Sequence, residues 1–386
     1  MHRSARDLGD RAVAVDDEEQ FRKAYQEQAD KIGRFNLALF GKTGVGKSTL
    51  INAVFGDDVA PTGIGVPVTQ DKHLYLHRTG FFGLLDTRGL EIGEDTDQIL
   101  KELVEYIDTM RQQPLSEQIH VAWYCVGGTN ARLEAIEEEF IRRLEEHLPV
   151  IVVLTKVPSR THPLVTGLSD HIAGLGLPIE HGRPVLTLDT YIASPDEVKR
   201  GLDDLLAATF REAPEGVRNA LIAAQKVDLA RKRQAARVAI GIAATAAGAV
   251  GATPIPFADG PIIAAAQISL LARISAIYGI DFKKTGLASV VPVVLTGAGR
   301  AVGGGAVKLF PGAGSVSGGA INGATGAFFT GAIGAAWMGV CDQLSQGKLM
   351  GVDGAIDEKA VKAFFETMIK AEIFTKKNPT AELPGA

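Results

Sequence analysis

The chain has 386 residues, of which 46% are hydrophobic and 22% charged, with a formal net charge of −5. That length exceeds one ordinary core of roughly 100–200 residues and calls for two or three domains. The acidic balance excludes a general basic field, so no nucleic-acid partner is expected. Both cysteines, Cys125 and Cys341, lie in apolar runs, which excludes a disulfide framework or metal knuckle and points to a reducing compartment. Residues 1–20 hold no apolar stretch of signal-peptide length, so a cytoplasmic location is expected.

Residues 1–17 are polar and read as loose. From 18 to 33, Phe21, Ala24, Tyr25 and Ile32 recur at helical spacing. Apolar runs at 35–40, 82–85, 121–126 and 150–154 read as buried strands, and helical patterns at 48–55, 96–111 and 131–147 alternate with them. Such alternation predicts an α/β layer with a mostly parallel sheet. Beyond Arg237 the composition changes: Ala, Gly, Val and Ile dominate to about Val340, and residues 309–341 carry no charge. An amphipathic pattern returns with Val361, Phe364, Phe365, Met368 and Ile369. The predicted organisation is an N-terminal tail and amphipathic helix over 1–33 and an α/β domain over 34–212. An Ala/Gly-rich all-α domain follows over 213–375, with a polar tail over 376–386.

Between the first strand and the first helix of the α/β domain stands Gly41-Lys42-Thr43-Gly44-Val45-Gly46-Lys47-Ser48, which satisfies G-x-x-x-x-G-K-[ST]. Glycines at this spacing let a loop turn several backbone N–H groups toward phosphate oxygens, and the following helix adds its positive end. Lys47 then supplies a charge to the β- and γ-phosphates, and Ser48 a hydroxyl ligand to Mg2+. This context, strand then loop then helix, predicts a P-loop nucleoside triphosphatase.

Asp86-Thr87-Arg88-Gly89 closes the strand at 82–85. A carboxylate at that strand end can hold Mg2+, and the Gly89 N–H can meet the γ-phosphate. Between the two motifs, Thr69 is the best candidate for a loop threonine that reaches Mg2+ and the γ-phosphate, with Thr62 as its competitor. Thr155-Lys156-Val157-Pro158 ends the strand begun at 150 and looks like the [NT]-K-x-D base-reading element of GTPases. In that element a lysine stem stacks on guanine and an aspartate accepts from its N1 and N2 groups. Pro158 stands where the aspartate belongs, which leaves strict guanine selectivity open. Asp189, after the strand-like run 184–188, is a candidate to compensate for the missing aspartate.

These elements together resemble the Era-like branch of bacterial GTPases, most closely over residues 41–53 and more loosely over 34–210. The resemblance implies that Gly41 and Gly44 through Thr49 (Val45, Gly46, Lys47 and Ser48 between them) line the phosphates of GTP. It places Thr69 in a first switch, opens a second switch at Asp86–Gly89, and gives Thr155 and Lys156 to the base. Residues 253–268 and 277–281 resemble a GTPase-associated helical domain of unknown function found behind such domains in bacteria, some of them membrane-associated. A more distant likeness is to the immunity-related GTPases of the dynamin superfamily. Leu90 follows Gly89 where Ras-like proteins carry the glutamine that orients the attacking water, so slow hydrolysis is expected. Arg88, a homodimer or an activating protein are the candidates to supply the missing group.

The run 238–257 carries no charge and approaches the ~20 residues needed to span a bilayer. Small-residue spacings at Gly314/Gly318 and Gly319/Gly323 suit close helix approach. Against this, Pro254 and Pro256 interrupt the run, and a soluble bundle with tight Ala/Gly faces explains the same letters. Arg231, Lys232 and Arg233 precede the run and read either as a headgroup-facing patch or as a solvated helix face. The sequence thus predicts a GTP- and Mg2+-dependent switch acting on a helical domain, with membrane lipid at the cytoplasmic face as one candidate partner. The alternative is a constitutive membrane-bound or scaffold protein that binds nucleotide without turnover.

Overall fold

A computed structural model describes residues 5–56, 67–69, 72–86, 96–130, 132–250, 259–281, 285–301, 323–351 and 354–377. The chain divides into two compact units. One spans Ile32–Asp228, and the other joins Met1–Lys31 to Leu229–Ala386.

The first unit is built on a seven-stranded sheet of order β2-β3-β4-β1-β5-β6-β7. Its strands are β1 (Phe35–Phe40), β2 (Pro67–Thr69), β3 (Lys72–Leu76), β4 (Phe82–Asp86), β5 (Val121–Gly127), β6 (Val150–Val157) and β7 (Val185–Leu188). β1 pairs in parallel with β4 and β5, and β6 in parallel with β5 and β7; only β2 and β3 run antiparallel to their neighbours. The parallel strands read as unbroken apolar runs because helices cover both faces. β1 is buried at every residue and β5 at every residue but its last. Helices α2 (Lys47–Phe55), α3 (Thr96–Met110), α4 (Ala135–Glu145), α5 (Pro163–Gly174), α6 (Pro195–Glu212) and α7 (Arg218–Ala224) complete the unit.

The strands expected at 35–40, 82–85, 121–126 and 150–154 are all present. β2 and β3 were not anticipated: of β3's residues with a described side chain only Leu74 is buried, so the edge has no apolar run to announce it. The unit also extends past 212. α7 packs against β1 and β4, and the Lys226 N–H donates to Val54 O at 2.8 Å, so residues up to Asp228 stay with the sheet.

The second unit contains α1 (Ala5–Ile32), α8 (Leu229–Val250), α9 (Asp259–Ile277), α10 (Leu287–Ala301), α11 (Gly323–Ser345) and α12 (Glu358–Lys377). Helix α1 begins at Ala5, well before the loose tail expected over 1–17 ends. Phe21 is fully buried, and the Tyr25 hydroxyl donates to Ile280 O at 2.8 Å. α11 packs on α8, α9 and α12. Its glycines set the spacing: a Cβ on Gly326 would lie 3.1 Å from Ala247 O, and one on Gly334 would lie 2.8 Å from Ile240 Cγ1.

Trp337 fills the centre of this unit, donating Nε1–H to Leu271 O (3.1 Å) and Ser275 Oγ (3.0 Å). The basic trio at 231–233 is neither a headgroup patch nor a uniformly solvated face. Lys232 is fully buried with Nζ donating to Tyr278 O at 3.1 Å, and Arg233 grips the Asp342 carboxylate at 2.5–3.1 Å. Among the described residues no helix is long and apolar enough to cross a membrane. Helix α8 takes in 238–250 of the charge-free run, while 251–257 and both small-residue pairs except Gly323 lie outside the described residues.

Candidate functional site

β1 delivers the chain to a loop that only a particular backbone can form. Gly41 has φ 125°, and a Cβ there would lie 2.2 Å from Cys125 O, inside the contact distance of any real side chain. Gly46, with φ 105° and ψ 16°, turns the loop into α2. Lys47 folds back over the loop, its Nζ donating to Gly41 O (2.5 Å) and Lys42 O (3.0 Å). The ammonium therefore sits inside the curve of the loop, where phosphate oxygens would meet it. Ser48 and Thr49 are exposed at the positive end of α2.

The helix is fixed from below. Leu50, Ile51, Val54 and Phe55 are buried, and the Phe55 ring stacks on Phe82 at 4.0 Å. Beneath the loop, burial pushes the Cys125 thiol up to about 12, so it is an inert packing group. Lys42 bonds Glu134 at 2.6 Å and approaches Glu137 at 3.5 Å, which ties the loop to the N-terminus of α4. Burial pulls the Lys42 ammonium down, but the two glutamates outweigh it and hold the group above its ordinary value.

The carboxyl end of β6 straps the other side. The Thr155 hydroxyl lies 2.5 Å from Val45 O and 3.1 Å from Val126 O, joining loop, β5 and β6. Lys156 takes φ 55°, a left-handed conformation that sends its side chain across the loop to donate to Gly44 O at 2.6 Å. A pocket of about 120 Å³ opens beside this strap, bounded by Gly46, Thr49, Lys156, Thr187, Asp189 and Tyr191 over a floor that includes Leu50 and Leu188. The structure thus brings Gly41 through Thr49 together with Thr155 and Lys156.

Asp86 is the last residue of β4 and pairs with Leu39, so its backbone lies at the same sheet end as the loop. Thr69 ends the edge strand β2 opposite Lys72, on a strand rather than in a loop. Arg88, Gly89, Leu90 and Thr62 lie outside the described residues. Thr187 and Tyr191 line the pocket without having been singled out in the sequence. The signal available for this stretch was Ser194-Pro195-Asp196-Glu197, a capping box that starts α6 and so marks where the loop after β7 ends.

Residues 36–156 match the family model described as 50S ribosome-binding GTPase, and residues 218–355 match the domain of unknown function DUF697. The chain carries a P-loop GTPase domain. Behind the GTPase domain, the match to the second family begins at α7, which packs on the GTPase sheet, and runs on into the helical unit. GTPase Der of Cyanothece sp. is 29% identical over 201 residues, covering 48% of this chain and 42% of that protein. Human Septin-12 is 28% identical over 159 residues, covering 35% of this chain and 44% of that protein. The chain spans less than half the length of these relatives. Among solved structures, the septin GTPase domain from Chlamydomonas reinhardtii aligns with a TM-score of 0.29 at 16% identity, covering 42% of this chain and 77% of that one.

Proposed function

We propose that the protein is a GTP-hydrolysing switch whose nucleotide state repositions its helical unit. The observation that carries this reading is the loop at 41–46, shaped by left-handed glycines, with the Lys47 ammonium folded inside it at the head of α2. Backbone N–H groups from Gly44 to Thr49 hold the phosphates, and Lys47 draws off charge as the γ-phosphoryl group leaves to water. Ser48, Thr69 and Asp86 are the residues that would hold Mg2+, which when bound neutralises charge on the β- and γ-oxygens. Gly89 is assigned to the γ-phosphate, and Arg88 to the developing charge. With Leu90 after Gly89, no side chain is assigned to orient the attacking water, so intrinsic turnover is slow. A homodimer or an activating protein completes the site; such help in trans is worth ~10³–10⁵ in rate.

The test is phosphate release from GTP by the full chain with Mg2+, set against Lys47→Ala. Removing one partner of a desolvated charge pair costs about 2–5 kcal/mol, so the variant should bind GTP at least tenfold more weakly and release no phosphate above background. Equal release by both proteins overturns the hydrolase reading. GTP binding without release by the wild type leaves the constitutive binder, which Pro158 and Leu90 favour. The membrane part of the proposal, at a cytoplasmic face, rests on exposed Val238 and Ile242 beside Arg237 on α8. Vesicle flotation with GDP and with a non-hydrolysable GTP analogue tests it; no flotation in either state removes lipid as a partner.

A further inference from the structure

The base-reading element of this GTPase domain lacks its carboxylate, because Pro158 occupies the position after Val157. The neighbouring strand supplies one. β6 and β7 are parallel, with Val157 paired to Leu188 at their ends, so Pro158 and Asp189 are the residues that follow the two strands side by side. The Asp189 N–H donates to Val157 O at 2.9 Å, which fixes that register to the last residue. Asp189 lines the pocket that Lys156, Thr49 and Gly46 also line, so it faces the same space as the loop and its strap.

We propose that Asp189 is the specificity residue of this pocket and that it reads guanine from β7 in place of a carboxylate at 158. The inference rests on the GTPase reading above and deepens it. A guanine ring in the pocket lies along the Lys156 side chain, whose Cε passes 3.6 Å from the Cβ position of Gly46 and so forms a wall beside the loop. The ring presents two donors on one edge, N1–H and the 2-amino group, and a carboxylate accepts both. Adenine presents neither pair and leaves the carboxylate unpaired, which is a strong basis for rejection. One Asp189 oxygen already accepts the Tyr191 N–H at 2.8 Å. That turn holds the carboxylate in place, and a carboxylate has lone pairs to spare for the base. Leu188, Leu50 and Ala53 give the apolar floor against which a purine would lie.

Xanthine presents N1–H and an oxygen where guanine has the amino group. An amide at 189 would complement it, accepting from one and donating to the other. The experiment is equilibrium titration of the full chain with GDP, XDP and ADP, using the wild type, Asp189→Asn and Asp189→Ser. Asparagine and serine both keep an oxygen for the Tyr191 N–H, so the turn survives either change.

The wild type should prefer GDP to both other nucleotides by at least tenfold. Asp189→Asn should weaken GDP and strengthen XDP by at least tenfold each. Asp189→Ser should lose the preference for GDP over ADP while gaining none for XDP. An unchanged GDP:XDP ratio in Asp189→Asn overturns the assignment, as does a wild type that takes GDP and ADP equally. Neither result touches the phosphate site. That reading fails only if the wild type binds none of the three or if Lys47→Ala binds them as tightly.

Discussion

Glycine is abundant in both compact units, and the two use it for opposite ends. In the GTPase domain, Gly41 and Gly46 are needed for a backbone shape: both have positive φ, and the first has Cys125 O where a side chain would go. In the helical unit, Gly326 and Gly334 lie in an ordinary helix and serve the distance between helices, admitting Ala247 and Ile240. The first use is local and has a spacing that a sequence can display. The second is visible only when the facing helix is known, which is why the Ala/Gly-rich half fits a membrane reading and a packed bundle equally well on paper.

The chain has two tryptophans, one in each unit, Trp123 and Trp337, both fully buried. Replacing either by Phe leaves a fluorescence probe for the other unit, so the comparison can be pressed residue by residue. The largest effect is expected for Gly41→Ala. Left-handed strain and the clash with Cys125 O together cost about 3–4 kcal/mol, read as a lower urea midpoint by Trp123 fluorescence. Next is Asp342→Asn, which removes the charge gripped by Arg233 while keeping an acceptor for the Tyr278 hydroxyl at 3.2 Å. Asp342 is nearly buried but the Arg233 side chain is 42% exposed, so the expected loss is about 2 kcal/mol, below that of a fully buried pair, seen by Trp337.

Glu145 gives a smaller, pH-dependent effect. Burial and the nearby Glu212 push its carboxyl up to about 7 despite the N–H it accepts from Val150. The folded protein therefore keeps a proton that the unfolded chain releases between 4.5 and about 7, and stability falls as pH rises through that window. Glu145→Gln should gain about 1 kcal/mol at pH 8 and nothing at pH 4, a value discounted because the group is half exposed. The smallest change is also a gain: Gly241→Ala on the exposed face of α8 meets no atom within 4 Å and should stabilise the helical unit by about 0.5–1 kcal/mol. A loss there instead would mean that this face is covered in solution.

Much of the GTPase domain was legible because its signals are local. The parallel strands are runs of buried residues, and Gly41–Ser48 encodes a backbone rather than a surface. What the letters did not show depends on distant partners. β3 lies between the edge strand β2 and β4 with only Leu74 buried among its described side chains, and the strap from Lys156 depends on Gly44, more than a hundred residues away. Lys232 looked like a surface cation because the carbonyls it meets, those of Ile277 and Tyr278, lie at the end of α9 and in the turn after it. Asp189 could be named from the letters, but its place beside position 158 depends on the pairing of Val157 with Leu188, which the letters do not show.

The partnership of α1 with residues beyond the GTPase domain bears on how the protein is made. Tyr25 and its acceptor Ile280 are 255 residues apart, with the whole GTPase domain between them. At about 5–20 residues per second, a ribosome adds Ile280 roughly 13–50 s after Tyr25. During that interval the GTPase domain can finish folding, while Phe21 and Tyr25 have no native surface to bury against. The nascent chain should hold α1 as an exposed aromatic face for tens of seconds, a natural target for a chaperone.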